Sequence, residues 1–293
     1  MLVLRGWARA TTRVTVEHWA KTLAMDARIR MLTLNGWARR VDKEDLREID
    51  RAKAAPMHPE SVRPANRLLL ALAPEELRRL EPNLKQVPVV PQQVLFEANQ
   101  PLTRVYFIEA GVVSLMSVFE NGTTAEMATV GREGVVAVGS LLGGEAALGR
   151  YVVQIPGSAL AIDTVRFSAL LRRSPRLRAA CDAYAQAFFA QLLQNVACNS
   201  IHSAEERCAR WLLTSHDRIG YTFPLTHEIL AETLGVRRST VTLVASALQR
   251  AGLIQYRRGM VTVLDRPRLE AAACECYRAI RDQYEQLLPH AFG

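Results

Sequence analysis

Two arginines and a run of hydroxyl side chains stand close together in the last quarter of the chain. They are Arg237, Arg238, Ser239, Thr240 and Thr242. A guanidinium group can donate to two acceptors on the edge of a guanine base at once, and serine and threonine hydroxyls suit phosphate oxygens or base edges. These residues therefore favour contact with a nucleic acid, provided that one rigid element presents them on one face.

The surrounding sequence, Leu225 to Ile254, predicts that element as two short helices joined by a tight turn. Thr226 can cap the first helix through its hydroxyl, and Gly235 can end it because glycine adopts a positive φ without strain. The apolar residues that recur at helical spacing in the second helix are Val241, Val244, Ala245 and Leu248. The pattern indicates a helix-turn-helix, with an ordinary helical hairpin that has a basic end as the alternative.

A small hairpin with a basic tip is predicted directly after the second helix. Two β-prone runs, Leu253–Tyr256 and Met260–Leu264, flank Arg257, Arg258 and Gly259. A helix-turn-helix followed by such a hairpin is a winged arrangement, in which the two arginines would lie near phosphates and give affinity without reading sequence. Taken alone, the same residues also suit a solvated basic turn.

The net charge of the chain is +8, and most of it lies near the N-terminus. Residues 1–56 hold 12 of the 37 Lys and Arg residues and 7 of the 29 Asp and Glu residues, so they contribute +5. Because the remainder is only mildly basic, attraction to an acidic polymer must come from local arginine clusters and not from a global field.

The length of 293 residues and the hydrophobic fraction of 49% suffice for two domains with buried cores. No apolar run is long enough to cross a membrane, and the N-terminus lacks the apolar region of a signal peptide. We expect a cytoplasmic protein with no membrane partner. Residues 1–56 are interpreted as a flexible extension, or as sequence upstream of the true start at Met57; an accessory DNA-binding arm is the alternative.

Short β-prone runs separated by turn residues fill the middle of the chain. They are Val87–Val90, Val94–Phe96, Val105–Ile108, Val112–Phe119, Val135–Val138, Tyr151–Ile155 and Leu160–Ile162. This pattern predicts a sandwich or barrel-like roll, and Asn121-Gly122 predicts a type I′ hairpin within it. Helices are predicted over Leu68–Leu80, Ala204–Ile219 and Pro267–Leu288.

One long helix is predicted from Pro175 to His202, with an apolar stripe along it. The residues that we assign to dimerisation on this stripe are Leu177, Cys181, Tyr184, Phe188 and Leu192. The stripe then broadens to include Phe189, Leu193 and Val196. Periodicity alone fits a core helix of a monomer equally well.

All five cysteines lie in the second half of the chain: Cys181, Cys198, Cys208, Cys274 and Cys276. Their odd number argues against a disulfide framework, and the Cys-x-Cys spacing is too tight for the usual zinc knuckle. We interpret them as buried or incidental thiols, with a metal site as the less favoured alternative. His202, His216 and His227 show no ligand spacing, and no nucleophile–base set or phosphate loop is evident, so we predict neither catalysis nor a cofactor.

In this order, the roll, the long helix and the winged helix-turn-helix resemble the Crp/Fnr family of bacterial transcription regulators over about residues 66–265. Two segments carry the resemblance: Val105–Leu115, which is similar to the family's roll signature, and Leu225–Ile254. The resemblance implies an α+β fold with an N-terminal cyclic-nucleotide-binding-like jelly roll (a β-roll), a long dimerisation helix and a C-terminal winged helix-turn-helix. It also implies a homodimer that binds a palindromic site on double-stranded DNA.

The chain departs from the nucleotide-binding members of this family at both ligand elements. Those members carry a Gly-Glu pair for the ribose and an Arg-Ser pair for the cyclic phosphate, where this sequence reads Gly134-Val135 and Leu148-Gly149. Arg150 is close but shifted. Since a cyclic phosphate needs a charged donor, we expect cyclic AMP to bind poorly or not at all.

Other sensing chemistries of the family also lack their residues. No cysteine precedes Cys181, so the N-terminal cysteines that hold an iron–sulfur cluster in oxygen-sensing members are missing, and no haem signature is visible. Arg132-Glu133 can serve a different ligand, although a solvated turn pair is the favoured interpretation. The small-molecule effector is unknown, and the protein can also act without one.

The recognition helix differs from that of the best-known members, which place Arg, Glu and a further Arg on the groove-facing side. The matching positions here are Arg238, Ser239 and Leu243, so a guanine contact is retained but the operator differs. Arg237 stands where a capping serine is usual, a task that Ser239 can take over instead.

These observations predict a homodimeric, sequence-specific transcription regulator that contacts RNA polymerase if it is an activator. The predicted divisions are an extension (1–56), a sensor roll (57–170), a dimerisation helix (171–202), a winged helix-turn-helix (203–266) and a C-terminal helix (267–293). A ligand-binding signalling module whose winged helix contacts another protein is the alternative.

Overall fold

The computed structural model describes residues 64–288. The interpretations of residues 1–56 and of Met57 fall outside this range. No helix within it is long and apolar enough to cross a membrane.

Two short helices precede the roll, α1 (Arg67–Leu70) and α2 (Pro74–Leu80), in place of the one helix predicted there. They are separate because proline has no backbone N–H to donate and so favours the first turn of a new helix. The roll consists of β1 (Lys85–Val89), β2 (Val94–Phe96), β3 (Arg104–Val118), β4 (Thr124–Val130), β5 (Val135–Val136), helix α3 (Val138–Leu141) and β6 (Arg150–Asp163). All pairs are antiparallel, in the order β1-β6-β3-β4, with β2 on β6 and β5 on β3.

Strands β3 and β6 are each continuous where the sequence predicts two separate strands. The runs on either side of Gly111 form one strand, and so do those on either side of Gly157. A Cβ on Gly111 would lie 2.5 Å from the carbonyl oxygen of Ile155, so the bulged backbones approach too closely for any side chain there. The glycines therefore permit a bulge and do not end a strand.

The hairpin between β3 and β4 is present, but its turn is not type I′. That turn requires a positive φ at both central residues. Gly122 has one (80°), whereas Asn121 does not, and its side-chain oxygen accepts from the backbone N–H of Thr123 at 3.0 Å. The asparagine therefore forms a local side-chain turn.

Three helices follow the roll: α4 (Thr164–Arg173), which the sequence does not predict, the long helix α5 (Pro175–Ile201), and α6 (Ala204–Ile219). The hydroxyl of Ser174 accepts from the N–H of Leu177 at 3.0 Å and begins α5. Ser203 and Glu206 form a reciprocal capping box that begins α6.

The last part contains β7 (Thr222–Pro224), α7 (His227–Leu234), α8 (Arg238–Arg250), β8 (Ile254–Arg257) and β9 (Met260–Val263). Its sheet has the order β7-β9-β8, and the first of these strands is not predicted from the sequence. Two helices, α9 (Arg266–Ala272) and α10 (Cys276–Leu287), replace the single predicted C-terminal helix. The break contains Ala273, whose ψ of 153° is extended.

Two apolar cores hold the described chain together. The first joins the roll with α4, α5 and α10, and the second joins α6 to α9 with the small sheet. Val112 and Ile155 of the roll belong to the second core, so the roll packs directly on the winged helix. Helix α5 also satisfies the edge strand β4: Gln191 and Asn195 donate to its carbonyls at 3.1 and 2.9 Å.

The residues assigned to dimerisation face the chain's own core. Leu177, Cys181, Tyr184 and Phe188 are buried there, and Leu192 packs against them. This arrangement is the alternative that periodicity leaves open, and it corrects the assignment, because these side chains are already covered by the roll. The exposed face of α5 carries the large apolar side chains Phe189, Leu193 and Val196.

Candidate nucleic-acid interface

Helices α7 and α8 form the predicted helix-turn-helix. The hydroxyl of Thr226 accepts from the N–H of Ile229 at 3.2 Å, which confirms the predicted cap of α7. Gly235 ends α7 with a φ of 63°, as predicted. The predicted apolar face of α8 is buried: Val241, Val244, Ala245 and Leu248. The second helix is therefore fixed in orientation by its own packing.

The opposite face of α8 presents the polar residues named from the sequence. Arg237, Arg238, Ser239 and Thr242 are exposed, and Thr240 is half-buried. Arg237 is the N-cap residue and its side chain makes no capping hydrogen bond. The first turn of α8 therefore keeps free backbone N–H groups at its positive end, which suits a phosphate.

Arg238 is held by a carboxylate on the preceding helix. Its Nη1 lies 2.7 Å from Oε1 of Glu228, and both side chains are more than half exposed. A hydrogen bond with its own backbone and the charge of Arg238 lower the pKa of Glu228, so this carboxylate is ionised at neutral pH. Contact of Arg238 with a base would require this ion pair to open or to be shared.

Thr242 uses its hydroxyl within the protein. Its Oγ1 donates to the carbonyl of Arg238 at 3.1 Å and lies 3.3 Å from Nδ1 of His227. Only the acceptor lone pairs of the hydroxyl are left for a partner outside the chain. Leu243, at the position of the family's second arginine, is 72% exposed.

The wing is a tight hairpin between β8 and β9. Arg258 and Gly259 both have positive φ values, 52° and 73°, which is the geometry of a type I′ turn. Arg257 and Arg258 are exposed at its tip. The hydroxyl of Tyr256 donates to the carbonyl of Leu225 at 2.6 Å and so ties the wing to the start of the helix-turn-helix.

The roll carries different contacts at the positions where related proteins bind nucleotide. Arg150, the arginine nearest in sequence to Leu148-Gly149, forms an ion pair with Glu97, and its Nε lies 2.8 Å from Oε2 of that carboxylate. A Cβ on Gly134 would collide with the ring of Tyr184, whose hydroxyl donates to the carbonyl of Val135 at 3.1 Å. This segment is therefore covered by α5.

The interpretation of Arg132-Glu133 as a solvated turn pair is wrong. Glu133 is 1% exposed and forms a bidentate ion pair with Arg218 of α6. Arg132 is half-buried and donates to the carbonyl of Asp217 at 2.8 Å. These groups lie between the roll and the first helix of the second core, so they connect the two parts and do not face solvent.

Three of the five cysteines lie together in the structure, which their spacing in the sequence does not suggest. Cys198, Cys274 and Cys276 form a buried group, and His202 adjoins it. A hydrogen bond from Cys274 lowers the pKa of the Cys198 thiol. Burial instead raises the pKa of the two remaining thiols, Cys181 and Cys208, to about 12.

The signal for this group is present in the sequence but is incomplete. Cys198 and His202 are four residues apart, which places them one turn apart on a helix. The statement that His202 shows no ligand spacing is therefore wrong. The other two members are 76 and 78 positions from Cys198, and only the packing of α10 on α5 brings them close.

Comparisons with known proteins agree with this geometry. The family model described as a cyclic nucleotide-binding domain matches residues 86–174, and that of the Crp-like helix-turn-helix domain matches residues 206–272. Comparison with curated proteins gives no match.

Solved structures share the fold. The structure of FixK2 from Bradyrhizobium japonicum superposes with a TM-score of 0.57 at 16% identity, covering 65% of this chain and 98% of that one. TTHB099, a CRP-family transcriptional regulator from Thermus thermophilus, gives 0.54 at 17% identity over 64% and 96%. The regulator CLP of Xanthomonas campestris, described as responsive to c-di-GMP, gives 0.52 at 16% identity over 64% and 98%.

Proposed function

We propose that this chain, which carries the two domains of Crp/Fnr family transcription regulators, binds a palindromic DNA operator as a homodimer. The observation that carries the proposal is the shared surface of α8 and the wing. Arg237, Arg238 and Ser239 are exposed at the start of α8, and Arg257 and Arg258 are exposed at the wing tip. Such a helix enters the major groove while the wing follows the phosphate backbone.

The side chains take different roles in this proposal. Arg238 reads a guanine, because it is the long bidentate donor on the outer face of α8. Arg237, Thr226 and Thr240 lie near the backbone of the DNA, and Ser239 contacts a phosphate or a base edge. The carboxylate of Glu228 repels phosphate. The protein therefore binds DNA in the position in which Arg238 shields this carboxylate from the phosphates.

A second copy of the chain covers the exposed face of α5 in this proposal. Phe189, Leu193 and Val196 are 60, 56 and 68% exposed, and their spacing of four and three residues places them on one face. Pairing α5 with the same helix of a partner buries this stripe on both copies. The two recognition helices then enter successive major grooves about 34 Å apart.

The roll regulates DNA binding without the usual cyclic nucleotide. Because Arg150 is paired with Glu97 and the Gly134-Val135 segment is covered by Tyr184, neither position offers a cyclic phosphate a free charged donor from residues 64–288. We propose that cyclic AMP is not the effector and that any effector uses other residues. RNA polymerase is a partner if the protein activates transcription.

The experiment compares three arginine variants on one operator obtained by selection. Arg238→Ala should weaken the selected site by about 1–3 kcal/mol and relax the preference at one base pair in each half-site. Arg257→Ala should weaken all sequences similarly and reduce the salt slope by about one. Arg178→Ala, an exposed arginine at the start of α5, is the control and should leave both affinity and preference unchanged.

Unchanged base preference in Arg238→Ala would contradict its assigned role. Absence of salt-dependent DNA binding by the wild-type chain would contradict the whole proposal and favour the signalling-module alternative.

A further inference from the structure

Four potential metal ligands lie together at the C-terminal end of α5. Cys198 is in the last turn of α5, His202 follows that helix directly, Cys274 lies in the break between α9 and α10, and Cys276 is the first residue of α10. Their ligand atoms all lie within 4.8 Å of one another. Thiolate sulfur and imidazole nitrogen are the ligands that Zn²⁺ takes in structural sites.

Two of the distances between ligand atoms are close to the edges of a zinc tetrahedron. The Sγ atoms of Cys198 and Cys274 are 3.5 Å apart, and Sγ of Cys276 lies 3.5 Å from Nδ1 of His202. A tetrahedral Zn²⁺ with bonds of about 2.3 Å to sulfur and about 2.0 Å to nitrogen has edges of about 3.8 Å between sulfurs and about 3.5 Å between sulfur and nitrogen. These two edges lie within a few tenths of an ångström of the ideal lengths, and the other pairs, all within 4.8 Å, need to close by no more than about 1 Å.

We propose that Cys198, His202, Cys274 and Cys276 form a structural Zn²⁺ site with Cys₃His ligation. A single ion suits this spacing better than an iron–sulfur cluster does, because the four ligands of a cluster are divided among two or four iron atoms and therefore do not all lie this close together. All four protein ligands together complete the tetrahedron, which leaves no open position for a substrate or water.

Two neighbouring side chains orient the ligands. The Nε2 atom of His202 lies 3.2 Å from a carboxylate oxygen of Glu275, so the ring can donate there and turn Nδ1 toward the metal. Nε2 of Gln194 donates to Sγ of Cys276 at 3.0 Å, which stabilises a thiolate. A carboxylate behind a histidine ligand and a hydrogen bond to a ligand sulfur are the outer contacts usual at zinc sites.

Binding exchanges protons for the metal. Three thiols lose their protons to solvent, three Zn–S bonds and one Zn–N bond form, and no electron is transferred. The ion then links the end of α5 to the segment that follows the winged helix, across 76 residues of sequence. Its expected effect is to fix the DNA-binding part of the chain against the helix that we assign to the dimer.

The test uses the full chain purified without chelators. Metal analysis should give about one zinc per chain. Replacement of zinc by Co²⁺ should give the absorption of tetrahedral cobalt together with sulfur-to-metal charge-transfer bands. Cys274→Ala should lower the bound zinc about tenfold or more, whereas Cys208→Ala, which removes a buried thiol outside the group, should retain about one zinc per chain.

Three results would overturn the proposal. The first is a wild-type protein that contains no zinc and whose Co²⁺ spectrum shows no thiolate bands. The second is iron with acid-labile sulfide in the purified chain. The third is an equal loss of zinc in Cys274→Ala and Cys208→Ala. The Co²⁺ spectrum of the wild-type chain decides the question even if a variant fails to fold.

Discussion

Breaking the buried ion pair between Glu133 and Arg218, which joins the roll to α6, should strongly destabilise the chain. Nε and Nη2 of Arg218 donate to the two carboxylate oxygens of Glu133, and Nη1 donates to the hydroxyl of Thr129 at 2.7 Å. The two side chains are 2% and 1% exposed. Arg218→Leu removes every one of these donors and leaves a shorter apolar side chain.

The magnitude follows from what the substitution leaves behind. The carboxylate of Glu133 keeps the N–H of Gly131, at 3.0 Å, and loses its countercharge inside the protein. Removing one partner of a buried pair destabilises by about 3–5 kcal/mol. The exposed pair of Arg178 and Asp182 contributes only about 0–1 kcal/mol, so Arg178→Leu is the matched control.

Urea unfolding of the full chain, followed by circular dichroism, measures the difference. Arg218→Leu should unfold at a much lower urea concentration than wild type, and Arg178→Leu should be nearly unchanged. Replacing both partners, as Glu133→Leu with Arg218→Leu, should recover most of the loss because no unpaired charge remains. The reasoning is refuted if Arg218→Leu lies within about 1 kcal/mol of wild type, or if the double variant is less stable than the single one.

Two further predictions concern β4 and α5. Burial raises the pKa of Glu126 from its ordinary 4.5 to about 7, so between these values the folded chain binds more protons than the unfolded chain. Its contribution to stability is therefore present below pH 4.5 and is lost as the pH rises through about 7. Glu126→Gln should abolish this loss of unfolding free energy, which over the whole pH range is at most about 3 kcal/mol for this half-buried side chain. Urea unfolding of the variant with the same pH dependence as wild type would contradict this. Phe189→Asp should convert the proposed dimer to a monomer in light scattering. Phe119 is a similarly exposed aromatic residue, and Phe119→Asp should leave the dimer intact. A dimer in both variants would exclude this face of α5 as the interface.

The helix-turn-helix could be predicted from the sequence because its determinants are local. Thr226 caps α7, Gly235 ends it with a positive φ, and the apolar positions of α8 all fall on one face. The exposed arginines of α8 and of the wing are predictable for the same reason. A helical period defines which side chains share a face, and short-range chemistry defines where that helix begins and ends.

The face that we propose for the dimer could not be predicted in the same way. Phe188 and Phe189 both belong to apolar stripes of α5, yet the first is 2% exposed and the second 60%. Periodicity identifies an apolar face but does not identify what covers it. The roll covers one face of this helix, and only the tertiary structure shows which one.

The two clusters of ionisable side chains depend on contacts distant in sequence. Glu133 and Arg218 are separated by 85 positions, and Cys198 and Cys274 by 76. The pattern of residues 267–288 predicts one continuous helix, whereas the structure has two helices with Cys274 in the break between them. Because the pattern does not account for this break, we attribute it to the packing of α10 on α5. Apart from the four-residue spacing of Cys198 and His202, no local signal marks these positions.

The most direct test of the central proposal is to sequence the genomic fragments of the host that the purified full chain captures without added ligand. The account predicts one two-fold symmetric motif, with half-site centres about 10 base pairs apart or a multiple of this, and a guanine whose selection depends on Arg238. Capture of no motif, or of a single unpaired half-site, would contradict a homodimeric reader of a palindromic operator.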